Sequence, residues 1–392
     1  MRFNLFFAVS RDWQVRRNHQ IGLEIGKKLP DFASYYISEE LWTLGNASSE
    51  VSRLGSQNTL IVPRNSDLGV PIWLSSYPFG DLDKLKKDFT NLLSNSIPKL
   101  DSETKCVLFY DGFGPTIDGF PSQIYSTWFS SSNTFCVFLQ HGYLPGNLSQ
   151  VLNVLKLRFY RFVQRNRSHT TRVPKNNYLS IVFDKYSFFI AVLSGSKISN
   201  TKIVGNFNLL GLESKSLTGS EELRIETGVV VYSTGSYKNH NFLESKEFEE
   251  LVAGVKKCMP PDQDLWIKLK SGELEMMSDL ARCYFEDLGV RFAPENLRVS
   301  EISGEVLVVA SSFSNVGIEA IAEGRTLILY TLDHSTTNKL RKHYQKLGVL
   351  EFNPTVDLDK QFTIGNGDYR KPHLNTDRLV FEITNALRFY LK

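Results

Sequence analysis

Cysteine is scarce and scattered: four residues in 392, Cys106, Cys136, Cys258 and Cys283. No two form a CxxC pair and three lie in apolar segments, so neither a disulfide framework nor a structural metal site is expected. A reducing cytoplasm is the expected compartment. Long apolar runs are missing as well. The opening MRFNLFFAVS is broken by Arg11 and Asp12. It is too short for a signal-peptide core with its cleavage site, and far too short to span a bilayer. No later run approaches transmembrane length, so membrane association, if any, is expected to be peripheral. The net charge of +3 is too small to argue for nucleic acid, and no nucleic-acid motif accompanies it. Internal repeats and low-complexity tracts are absent too.

A second kind of absence is local. Between Asp118 and Asp184 there is no Asp or Glu. That gap holds Lys156, Arg158, Arg161, Arg165, Arg167, Arg172 and Lys175, interleaved with Phe159, Tyr160 and Phe162. A one-signed surface attracts anionic partners. A phosphorylated acceptor, an anionic glycan or anionic lipid headgroups at the inner membrane face would fit. The alternative is a solvated basic helix balanced by acids elsewhere.

What is present is the composition of a soluble globular enzyme, 42% hydrophobic and 22% charged, with length for two domains. Short apolar runs predict strands at 2–9, 59–62, 105–110, 134–139 and 202–206, and 179–183 and 188–193 are two further apolar runs. Helices are expected at 18–29, 81–94 and 151–163. The loop between the first strand and helix would carry Arg16, Arg17 and His19. The alternation breaks near 195–226, and the polar stretch 211–226 reads as a linker or long loop. The alternation then restarts, with strands at 228–232 and 265–269, helices at 242–258, 273–288 and 336–346, and a closing amphipathic helix at 377–391. The expected fold is α/β: two doubly wound Rossmann-like domains facing a cleft. The expected division is an acceptor-side domain at 1–199, a nucleotide-binding domain at 200–375, and a helix at 376–392 packing back on the first domain.

The stretch 306–330 has the most chemistry in it. An apolar run at 306–310 precedes Ser311, Ser312 and Ser314. Helical spacing of Ile318, Ala320, Ile321 and Ala322 follows, then a second apolar run at 327–330. In a strand–helix–strand unit the serines sit where the helix begins, with their hydroxyls beside unpaired backbone N–H groups. That arrangement receives a phosphate; it is equally the pattern of a plain serine cap. Two Asp-x-Asp pairs, at Asp81 and Asp83 and at Asp357 and Asp359, read as structural or solvent-facing. Neither a metal nor a cofactor is expected.

Several motifs, taken in order, resemble the bacterial GT-B glycosyltransferases and their relatives of surface-polysaccharide synthesis: capsule-type transferases, CDP-glycerol glycerophosphotransferases and GT-B sialyltransferases. They are Gln140-His141-Gly142 after a strand, Lys202-Ile-Val-Gly-Asn206, Ser233-Thr-Gly-Ser236, Trp266-Ile-Lys-Leu-Lys270, and the serine stretch running to Glu319. There are departures. Lys270-Ser271 replaces a His-Pro pair common after that strand. Tyr110-Asp111-Gly112 has one acid where the sialyltransferases carry two, which counts against a CMP-sialic acid donor.

The resemblance implies GT-B and a metal-independent transfer of sugar from a nucleotide-sugar donor (CMP, CDP or UDP type) to a glycan or lipid-linked acceptor. CDP-glycerol-type transfer, UDP-sugar epimerisation and a non-catalytic binding role are the alternatives. Ser311, Ser312 and Ser314 would hold the donor phosphates, Lys268 or Lys270 would add positive charge, and Glu319 would meet the ribose. Thr234, Gly235 and Ser236 would let backbone approach the donor closely. Asp111 and His141, each following a strand of the first domain, are the candidate bases. Arg158, Arg161, Arg165 and Arg167 would face the acceptor or an anionic surface.

Overall fold

A computed structural model describes residues 3–9, 12–29, 31–38, 47–54, 59–61, 105–112, 134–140, 151–152, 155, 178–193, 195–207, 210, 225, 227–233, 237, 242–270, 272–294, 297, 299, 302, 305–310, 315–322, 327–329, 350–351, 355–356 and 375–391. The chain divides into two compact units. One comprises Met1–Leu144, Leu148–Lys215 and His373–Lys392; the other comprises Pro145–Asn147 and Ser216–Pro372.

The first unit is built on seven parallel strands: β1 (Phe3–Val9), β2 (Phe32–Ser38), β3 (Thr59–Ile61), β4 (Lys105–Asp111), β5 (Thr134–Leu139), β6 (Tyr178–Val182) and β7 (Thr201–Ile203). Their order is β3-β2-β1-β4-β5-β6-β7. Every residue of β1 and of β5 is buried. That explains why these segments read as unbroken apolar runs rather than alternating ones. Helix α1 (Asp12–Lys28) lays Val15, Ile21 and Ile25 into the core under β1. Helices α2 (Ala47–Arg53) and α3 (Lys185–Leu193) also belong to this unit.

The second unit has six parallel strands: β8 (Thr227–Tyr232), β9 (Leu265–Lys268), β10 (Arg291–Phe292), β11 (Glu305–Ala310), β12 (Leu327–Leu329) and β13 (Leu350–Glu351). They run in the order β10-β9-β8-β11-β12-β13. Helix α4 (Phe242–Cys258) buries Phe248, Leu251, Val252 and Val255 against Val229, Val231 and Ile267. At the start of β8 the backbone of Asp264 comes so close that a Cβ on Gly228 would lie 2.2 Å from its carbonyl oxygen. Gly228 also has φ of +111°, a region glycine enters without steric cost.

Both sheets are doubly wound, as expected. Three details differ. Helix α1 starts at Asp12, not at 18, so Arg16, Arg17 and His19 are helical rather than in a loop. The strand expected to open the second domain is β7, which pairs with β6 at the edge of the first sheet, and the division falls after Lys215 instead of 199. The helix expected at 273–288 is two helices, α5 (Glu273–Met276) and α6 (Asp279–Asp287), because Ser278 caps the second by accepting from the Ala281 N–H. The apolar runs at 179–183 and 188–193 correspond to β6 and to helix α3.

The last helix is α8 (Thr376–Leu391). It belongs to the first unit, with Leu379, Ile383 and Leu387 in that unit's core. Lys105 Nζ donates to the Tyr390 carbonyl at 2.8 Å, and Phe135 and Tyr390 rings lie 5.2 Å apart. The expected helices at 81–94 and 336–346 lie outside the described residues, as does the Asp81/Asp83 pair. Residues 151, 152 and 155 are helical, and 156–175 lie outside. Among the described residues no helix is long and apolar enough to cross a membrane.

Candidate functional site

In a doubly wound sheet, ligands bind at the carboxyl ends of the strands where the winding reverses. The strand orders place that point between β1 and β4 in the first unit and between β8 and β11 in the second.

At the first point, Asp111 is the final residue of β4 and is partly exposed. Its carboxylate is held from α1: Arg17 donates to Oδ1, and Gln14 Nε2 donates to Oδ2 at 2.6 Å. Arg17 is fully buried. Its Nε donates to Asn18 Oδ1 at 3.1 Å, and its guanidinium carbon lies 5.2 Å from the Trp13 ring and 5.9 Å from that of Phe207. Beside this pair Arg16 meets Glu50 at 3.4 Å, both buried. His19, one turn on, sits 3.5 Å from the Tyr36 hydroxyl through Nδ1, and burial pushes its pKa below 6.5. On the neighbouring strand Leu139 stands in register with Asp111. Gln140 follows, fully buried, with Oε1 accepting from the Phe183 N–H at 2.8 Å. The next residue, His141, lies outside the described residues.

At the second point, Tyr232 and Ala310 are register partners at the ends of β8 and β11. Ser233 follows the first. Thr234, Gly235 and Ser236, and on the other side Ser311, Ser312 and Ser314, lie outside the described residues. Helix α7 (Asn315–Ala322) begins directly after the serines. Glu319 is its fifth residue and is partly exposed. Lys268 ends β9, in register with Tyr232, and is buried; its Nζ donates to the Leu269 carbonyl at 2.7 Å. Lys270 is exposed. Its backbone N–H donates to Glu273 Oε2 at 2.5 Å. Glu273 is fully buried, and its Oε1 accepts from Ser233 Oγ at 2.9 Å and the Tyr237 N–H at 3.0 Å. Burial, with Glu249 and then Glu273 nearby, pushes the Tyr237 phenol pKa up.

Arg158, Arg161, Arg165 and Arg167 lie outside the described residues. Among the described residues no three of His, Cys, Asp and Glu cluster as metal ligands would. Reading the sequence overlooked Gln14 and Glu273, and it put Arg17 in a loop without linking it to Asp111. Gln14 and Arg17 had a signal: positions 14, 17, 18, 21 and 25 share one helical face once α1 is extended back to Asp12. Glu273 had none beyond the glycine before it.

No protein-family model matches the sequence, and no curated protein matches it by sequence. Solved structures match it along its length. A protein from Listeria monocytogenes assigned as a UDP-N-acetylglucosamine 2-epimerase aligns with TM-score 0.61 at 9% identity, covering 100% of this chain and 97% of that one. The UDP-GlcNAc 2-epimerase of Neisseria meningitidis, bound to UDP-GlcNAc, aligns at 0.54 and 11% identity over 100% and 99%. TcCGT1 in complex with UDP aligns at 0.51 and 11% over 100% and 94%. The chain has the GT-B type of α/β fold. Likeness at this identity speaks for the fold alone.

Proposed function

We propose that this chain is an enzyme of nucleotide-sugar chemistry that transfers a sugar to a glycan or lipid-linked acceptor without a metal ion. The observation that carries the reading is the β8–β11 register. It brings the segments after Tyr232 and Ala310 to adjacent strand ends at the switch point, with an α-helix starting just beyond. Backbone N–H groups at a helix start, joined by the hydroxyls of Ser311, Ser312 and Ser314, suit a diphosphate. Further support comes from two proteins of the same fold that were solved holding UDP and UDP-GlcNAc.

The chemistry asks for a stabilised leaving diphosphate, an acceptor hydroxyl that loses its proton, and alignment of the two. Lys270, exposed beside the β9 end, adds positive charge to the leaving group. Glu319 accepts from ribose hydroxyls, and 234–236 lie against the donor. His141 takes the proton, imidazole being the side-chain type suited to proton transfer near neutrality. Asp111 has an oxygen committed to each of Arg17 and Gln14, which suits a fixed hydrogen-bond acceptor better than a mobile base. In this reading the Arg158–Arg167 cations hold an anionic acceptor or the membrane surface that carries it, in keeping with surface-polysaccharide synthesis at the cytoplasmic face.

A second reading, UDP-sugar 2-epimerisation, is favoured by the two epimerase structures that align with TM-scores of 0.61 and 0.54. Calorimetry with CMP, CDP, UDP and GDP tests the shared part: no binding of any of them sinks both readings and leaves a non-catalytic glycan-binding role. Product analysis separates them. Nucleotide released only when an acceptor is present marks a transferase; an isomer of unchanged mass formed from the UDP sugar alone marks an epimerase. His141→Ala should abolish turnover and keep nucleotide affinity, and full turnover in that variant removes His141 as the base.

A further inference from the structure

We propose that Glu273 is a positioning residue for the nucleotide site of the second unit, one buried carboxylate that sets the two strand-end loops beside the switch point. The inference rests on the reading of that unit as nucleotide-binding.

Glu273 opens the short helix α5, directly after Gly272 in a left-handed conformation (φ 78°). The backbone turn drives the side chain inward, where it is fully buried. Its acceptors reach two loops at once. Ser233 Oγ (2.9 Å) and the Tyr237 N–H (3.0 Å) come from the segment after β8, and the Lys270 N–H (2.5 Å) from the segment after β9. Ser233 and Tyr237 stand on either side of 234–236, so one oxygen fixes both ends of that stretch. The Ser233 N–H donates in turn to the Lys268 carbonyl at 2.9 Å, which joins the bases of the two loops.

All three donors to the carboxylate are neutral, so no ion pair accounts for its burial. Burying a carboxylate is expensive unless its oxygens are satisfied. The arrangement needs a carboxylate specifically. Three donors converge on both oxygens, and an amide presents an acceptor on one side only. In Glu273→Gln the NH2 would face either Lys270 N–H, or Ser233 and the Tyr237 N–H. In each orientation a backbone donor meets a donor, and one loop loses its anchor. Binding a diphosphate through backbone N–H groups depends on where those groups point, so the loss would pass to the ligand.

The sign of the effect separates this role from two others. A bystander acid near a diphosphate site repels it, so neutralising it would tighten binding. An acid that serves only stability would lower the melting temperature and leave binding by the folded protein unchanged. A positioning acid predicts weaker binding.

Calorimetric titration of the full-length protein with UDP, wild type against Glu273→Gln, well below the melting temperature of either, tests the point. The expected result is a UDP Kd raised about tenfold or more with far-UV circular dichroism unchanged. Equal or tighter binding by the variant overturns the inference while leaving the nucleotide reading intact. Absence of UDP binding in the wild type overturns the premise instead. If Glu273→Gln does not fold, Ser233→Ala removes one of the three donors and keeps the acid. Its Kd should rise roughly threefold, and an unchanged Kd would overturn the proposal.

Discussion

The Arg17–Asp111 pair lends itself to a quantitative test, because one partner is fully buried and the other nearly so. Side-chain exposure is 0% for Arg17 and 9% for Asp111. Replacing Asp111 by Asn leaves a guanidinium in the interior facing a neutral amide; breaking one side of a buried pair costs ~3–5 kcal/mol. Arg17→Met leaves the carboxylate with Gln14 at 2.6 Å and removes the cation over Trp13 and Phe207. Its cost should be of the same ~3–5 kcal/mol, including ~0.5–2 kcal/mol for the aromatic contacts. Either loss is a large part of a total stability of ~5–15 kcal/mol. The double variant removes both charges and so leaves no unpaired buried charge, and it should be far less destabilised than the sum of the singles.

The expected coupling is therefore at least ~2 kcal/mol. Urea unfolding followed by far-UV circular dichroism at matched ionic strength measures it for all four proteins. Additivity within ~0.5 kcal/mol would mean that the two side chains do not depend on each other, and the description of Asp111 as a held carboxylate would fall. Gln14→Leu adds an internal control. It removes the bond from Gln14 to the carboxylate while keeping both charges, and should cost ~1.5–3 kcal/mol, less than either charge deletion.

Three further perturbations follow from the same structure. Gly228→Ala would drive a Cβ to 2.2 Å from the Asp264 carbonyl at a φ of +111°, and should lose at least ~3 kcal/mol or fail to fold; a melting temperature near that of the wild type refutes the close approach. Burial lowers the folded-state pKa of His19 below its usual 6.5, so the unfolded chain takes up that proton more readily. The stability tied to neutral His19 is present above 6.5 and is lost as pH falls toward the folded pKa; between about pH 7.5 and about pH 5.5 the wild-type urea midpoint should drop more than that of His19→Gln. Buried Cys106 and Cys136 have pKa values pushed up to about 11 and about 12 by desolvation, whereas Cys283 is exposed. Iodoacetamide on the native protein should label Cys283 and spare that pair until urea is added, as peptide mass mapping would read out.

How much of this was legible in the sequence depends on which force shaped each element. Strands buried on both faces write themselves as apolar runs, and 134–139 and 105–110 were bounded to within a residue of β5 and β4. Strand β2, FASYYIS, went unread because four of its seven residues are only partly buried and it carries two serines. Helix α1 was started six residues late. Its first turns carry Gln14, Arg16, Arg17 and Asn18 on the buried side, and hydrophobic periodicity has no sign for a buried face made of polar groups. The same blindness hid the site's supports. Asp111 was visible as an acid at a strand end, but the partners that hold it come from 94 and 97 positions away. Glu273 looked like one of many acids at a helix start, and only the fold brings Ser233 and Lys270 to it.

These supports differ in their electrostatics, and the difference bears on which part of the chain would attract an anion. In the first unit the charges at the switch point close on one another: Arg16 with Glu50, Arg17 with Asp111. Opposite charges in contact leave little net field at a distance, so that arrangement fixes geometry more than it draws a ligand. In the second unit the buried acid is held by a hydroxyl and two backbone N–H groups, and no cation is consumed in neutralising it. The Lys270 side chain is exposed just past the end of β9, and α7 starts after β11, two strands over, with its N-terminal dipole end toward the same edge of the sheet. The division of labour that follows is that nucleotide affinity should respond to charge changes in the second unit and be nearly indifferent to the Arg17–Asp111 double substitution. A double variant that folds, and that binds UDP as tightly as the wild type, would confirm that the paired charges of the first unit position groups rather than recruit the donor.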